Sequence, residues 1–163
     1  MRALTAICIV APFITSGAMA AESWTTHETD GSSIALTANV DGDAFGLRCD
    51  VETTYCEWAI TTRSSCAEDV SSPAVMAGSQ GATHIFYNCR GATKNGKYIY
   101  ILSPYDNVEQ IVLAGGIVSM AFPLDSGRFY VNRFDTHGAK AAIDSVQRSV
   151  IKRKGKSTRG ESL

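Results

Sequence analysis

Apolar residues recur along this chain with two different periods. In residues 33–40 (SIALTANV), Ile34, Leu36, Ala38 and Val40 alternate with Ser33, Ala35, Thr37 and Asn39, which predicts a strand with one buried face. Asp41-Gly42-Asp43 follows and reads as a solvated turn. Residues 45–49 and 55–62 then predict a hairpin around 51–54, with Cys56, Trp58 and Ile60 on one face of its second arm. Residues 83–89 (THIFYNC), 98–102 (YIYIL), 108–113 (VEQIVL), 117–122 (IVSMAF) and 128–134 continue the series as short strands between Gly, Pro and Asn punctuation. Asn95-Gly96 is a hairpin turn by composition. In the last strand Phe129, Val131 and Arg133 oppose Tyr130, Asn132 and Phe134. Residues 66–81 interrupt the series and read as a long loop around a short segment at 74–77.

From residue 139 the period lengthens. Ala139, Ala142, Ile143, Val146 and Val150 fall at i, i+3, i+4, i+7 and i+11, one stripe of a helix. Asp135 or Thr136 can supply its N-cap oxygen, and Gly155 is its expected end. The pattern predicts a mainly β fold, an antiparallel sandwich or barrel-like sheet, closed by one C-terminal amphipathic helix.

The ends of the chain change this picture. Arg2, the apolar run 3–14 and Ala18-Met19-Ala20 have the order of a signal peptide, expected over residues 1–20. The apolar run is too short to span a bilayer, so no membrane insertion is expected after cleavage. The expected organisation is then a single β-rich domain over 21–154 and a disordered basic tail over 155–163. Residues 21–147 hold eight basic and fifteen acidic groups, whereas 148–159 hold six basic groups and no acid. An acidic body with a short basic tail gives no reason to expect a nucleic-acid partner.

Export decides how the cysteines are read. Loss of Cys8 with the signal leaves Cys49, Cys56, Cys66 and Cys89, an even number suited to disulfides in an oxidising compartment. Of the three possible pairings, Cys49–Cys56 with Cys66–Cys89 is favoured, because the first pair would bridge a short hairpin. No CxxC spacing occurs, and His27, His84 and His137 have no ligand spacing to one another, so no metal or other cofactor is expected. The search for catalytic motifs finds no GxSxG, P-loop, GxGxxG or HExxH. The one enzymatic alternative is a small exported hydrolase using His84 with a nearby carboxylate, Glu68 or Asp69. Tyr98, Tyr100, Tyr105 and Tyr130 gather in one half of the chain and form a candidate binding surface, since tyrosine offers rigid area and a hydroxyl.

Residues 117–143 (IVSMAFPLDSGRFYVNRFDTHGAKAAI) resemble the C-terminus of the invasion-associated locus B family of bacterial exported proteins. In that family a final strand runs into a short glycine-containing turn and an Ala-containing helix. The resemblance implies an envelope-associated protein without an established active site. The expectation is a periplasmic or secreted, non-enzymatic binding module, acting as an envelope accessory or as an inhibitor or immunity-type protein. Its partner would be another envelope or extracellular protein.

Overall fold

A computed structural model describes the backbone of residues 24–124 and 126–160, and side chains as far as residue 156. The expected signal peptide, residues 1–20, lies outside the described residues. The described chain forms β1 (Thr25–Glu28), β2 (Ser32–Ala38), β3 (Ala44–Asp50), β4 (Cys56–Thr62), β5 (Ser71–Gly78) and β6 (Gly81–Ala92). It continues through β7 (Tyr98–Ser103), α1 (Tyr105–Leu113), β8 (Ile117–Pro123), β9 (Phe129–Asp135) and α2 (Ala139–Gly160).

All nine strands belong to one antiparallel sheet, in the order β1-β2-β3-β4-β7-β6-β5-β8-β9. The fold is therefore the barrel-like member of the two expected architectures. Its two ends approach each other, and Asn39 Nδ2 on the β2 side donates to Asn132 Oδ1 of β9 at 3.3 Å. Inside the curl, Phe45 stacks on Trp58 with ring centroids 5.4 Å apart, and Trp24 and Phe134 pack around Phe45. Trp24 is fixed further by donating its indole N–H to the Asp135 carbonyl at 3.0 Å.

The predicted stripe of α2 is buried at all five positions, Ala139, Ala142, Ile143, Val146 and Val150. This face packs mainly on β2, and Ser33 Oγ lies 3.5 Å from Ser149 Oγ across that contact. Both disulfides of the favoured pairing are formed. Cys49 and Cys56 are directly opposite in the β3–β4 ladder, with Cα atoms 4.0 Å apart, and Cys66 joins the β4–β5 loop to Cys89 of β6.

Four features differ from the sequence-based expectation. The predicted loop 66–81 contains β5, which pairs with β6 over Ser71–Gly78 and turns at Ser79-Gln80. Its Ser, Pro and Gly content weakens the strand pattern, while its position between β6 and β8 gives its backbone partners on both sides. The predicted strand 108–113 belongs to helix α1. Val108, Ile111 and Val112 are its buried residues, an i, i+3, i+4 set that a run of six residues also reads as strand-like. Helix α2 continues through Gly155 to Gly160, so glycine there does not stop it. Arg153, which the helical pattern leaves off the apolar stripe, is nonetheless partly buried. Its guanidinium donates to the carbonyls of Thr29 and Asp30 at 2.6 and 2.8 Å, pinning the β1–β2 turn.

The faces of β2 also depart from simple amphipathicity. Ser33, Ala35 and Thr37 point inward and are buried, while Ile34, Leu36 and Ala38 form the outer, half-buried face. The inner face lies against α2, with Ser33 beside Ser149 and Arg153, and its small side chains suit a close approach of helix to sheet. Packing volume outweighs hydrophobicity at this strand.

Candidate functional site

The outward apolar face of β2 is one wall of a groove of about 560 Å³. Cross-strand registry places Leu36, Gly46, Ala59 and Ile101 in one row and Ala38, Ala44, Thr61 and Ile99 in the next. In the Leu36 row large residues stand on the outer strands β2 and β7 with small ones on β3 and β4 between them, while Ile34 lies in a row with Arg48 and Glu57 at the groove's edge. With strands about 4.8 Å apart, the walls are roughly 14 Å apart at the backbone, wide enough for a row of side chains. Gly46 keeps the floor low, because a Cβ there would stand 2.1 Å from the Ala35 carbonyl oxygen. Arg48 and Arg90 border the groove, and Arg48 Nη1 lies 3.1 Å from Glu57 Oε1 at its edge. Such an exposed pair contributes little to stability, so its guanidinium can exchange partners.

A second concavity, of about 410 Å³, opens at the end of the curl away from α1. Its floor is an aromatic cluster in which Tyr87 meets Tyr100 and Phe122 edge-on at 5.2 and 5.0 Å. Tyr100 donates its hydroxyl to the Ser64 carbonyl at 2.9 Å, and Tyr130 donates to Asp43 Oδ2 at 2.6 Å. Asp43 was expected in a solvated turn but is 1 % exposed. Folding turns it inward, where Lys97 Nζ lies 3.1 Å from its Oδ1. Asn39 Oδ1 meanwhile accepts the Asp43 backbone N–H at 2.9 Å. The trio joins the β2–β3 turn, the β6–β7 turn and β9 across the seam of the sheet. Burial first, and then the bond to Asp43, push the Tyr130 hydroxyl up to about 12.

The four tyrosines of the candidate surface are placed differently from one another. Tyr100 and Tyr130 line the same mouth, although Tyr100 is almost fully buried rather than surface-exposed. Tyr98 is half-buried at the start of β7. Tyr105 begins α1, packs against Trp58 with centroids 6.2 Å apart and donates to Glu109 Oε1 at 2.8 Å. Burial, followed by the Glu109 carboxylate, raises its pKa well above the ordinary tyrosine value. Tyr87 is the mouth tyrosine that sequence reading passed over. It lies in a recognised strand, and the rings it meets, Tyr100 and Phe122, come from two other recognised strands that only the sheet order brings beside it.

His84 is exposed on the outer face of β6. The Asp69 N–H binds the Cys89 carbonyl at 3.0 Å, five positions farther along the strand. At about 3.4 Å per residue this separates them by roughly 17 Å, so the structure does not bring His84 together with Asp69. Among the described residues no helix is long and apolar enough to cross a membrane. No known family model, curated protein or solved structure matches the chain.

Proposed function

We propose that this protein is an exported, non-enzymatic binding module, periplasmic or secreted, that receives an extended apolar segment of another envelope or extracellular protein. The observation that carries this reading is the outward direction of Ile34 and Leu36, which with Ile99 and Ile101 wall an apolar groove instead of completing the core. Each Leu-sized side chain fully buried in such a groove contributes about 1.5–3 kcal/mol toward offsetting the cost of ordering the bound segment. Arg48 and Arg90 favour acidic residues flanking those anchors. The two disulfides are compatible with an oxidising compartment, and the locus B resemblance of residues 117–143 agrees with an envelope setting.

Selection of random extended peptides on the oxidised protein tests the proposal. Binders should carry apolar anchors beside Asp or Glu, and Ala59→Trp, which fills the floor from the solvent side, should abolish their binding. Selected peptides that bind Ala59→Trp as well as the unaltered protein would refute the groove as the site.

A further inference from the structure

The mouth at the other end of the sheet has a chemistry opposite to that of the groove. Hydroxyl groups of Thr62, Ser64, Ser65, Ser72 and Ser126 surround it, and no Lys, Arg, Asp or Glu lines it among the described residues. Uncharged hydroxyls dominate this described rim, and an apolar ligand would strand them without partners. The floor is aromatic, with Tyr87 half-buried and turned into the cavity beside Phe122. A ligand suited to both features has apolar C–H faces to lie on rings and hydroxyl edges to meet Ser and Tyr.

The site is also held in shape before any ligand arrives. Tyr100 and Tyr130 are fixed by their bonds to Ser64 and Asp43, so their rings do not need to be ordered on binding. The serine-bearing β4–β5 loop is tied to the sheet by Cys66–Cys89, which reduces its freedom. Preorganisation of this kind turns weak individual contacts into measurable affinity. Mouths of curled β sheets are a recurrent place for small-ligand sites.

We propose that this mouth binds a neutral saccharide of one or two rings, stacked on Tyr87 and hydrogen-bonded by the Ser65 and Ser72 hydroxyls. The proposal is independent of the groove, which lies on the outer face of the sheet. The test is saturation-transfer NMR and calorimetry on the oxidised protein with maltose, cellobiose, N,N′-diacetylchitobiose and a digalacturonate. At least one neutral disaccharide should bind saturably, and the digalacturonate should not. Ser65→Trp, which blocks the exposed rim, and Tyr87→Ala should each weaken that binding at least tenfold. Ser72→Val, a milder change, should weaken it several-fold with the fold intact, and Ala59→Trp in the outer groove should leave it unchanged. The proposal is overturned if no neutral member binds at millimolar concentration, if only the digalacturonate binds, or if Ser65→Trp binds like the unaltered protein.

Discussion

Replacing Ile143 by Ala tests the packing of α2 against the sheet. Ile143 is 1 % exposed at the centre of the helix stripe. The substitution removes three carbons, which at about 0.8 kcal/mol each is roughly 2.4 kcal/mol of lost burial. The vacated space is hard to refill, because the stripe neighbours Ala139 and Ala142 are short. A residual cavity of about 50 Å³ adds roughly 1 kcal/mol, bringing the expected loss to about 3–4 kcal/mol. For urea unfolding with both disulfides intact and a slope of about 1.5 kcal/mol/M, the midpoint should fall by about 2 M with the slope unchanged. Ile151→Ala is the matched control. Ile151 follows the packed Val150 but points off the stripe and is 68 % exposed, and its loss should stay within about 0.5 kcal/mol. Equal midpoints for the two variants would refute the packing argument and leave α2 as an arm resting loosely on the body.

Other consequences can be checked on the same footing. Replacing Cys66 and Cys89 together by Ala should lower stability by about 3 kcal/mol, because their sequence separation of 23 closes a longer loop than the separation of 7 between Cys49 and Cys56. The comparison of denaturation midpoints for the two double variants reads this order directly. Arg153→Ala should destabilise the protein by about 1–3 kcal/mol through the loss of charged hydrogen bonds to the β1–β2 turn, whereas Lys152→Ala should be neutral by the same assay. Tyr130 binds its proton more tightly folded than unfolded, so its contribution is complete below pH 10 and is lost as pH rises from about 10 to about 12. Stability measured across that range should decline, and Tyr130→Phe should flatten the decline; an unchanged slope in the variant would contradict the assignment.

Much of the architecture is written in local periodicity. The α2 stripe is legible because five apolar residues keep helical spacing over three turns, and Cys56, Trp58 and Ile60 announce the inner face of β4 by simple alternation. The β5 strand and α1 are less legible. β5 owes its state to having strands on both sides, a relation between distant segments, and the six residues 108–113 fit either period. For the sites the limit is topological. Tyr100 and Tyr130 stand out as aromatics, but Ser65, Ser72 and Ser126 are ordinary loop-type residues until β5 is inserted between β6 and β8. The groove was hidden by a sound rule applied where another prevails: Ile34 and Leu36 look like core, but the face of β2 turned inward is that of Ser33, Ala35 and Thr37.

The inverted faces of β2 bear on how its register is set. Moving this strand one residue along its partner would turn Ile34 and Leu36 inward and Ser33 and Ala35 outward. Were α2 not packed there, the hydrophobic effect alone would reward that alternative. The Asn39 turn, with its side-chain oxygen accepting the Asp41 and Asp43 N–H groups, favours the native pairing locally. A further preference comes from α2, whose buried face packs on the small inner face of β2. The register of β2 is thus secured by a helix that touches it from 116 residues farther along the chain, at Ser33 and Ser149.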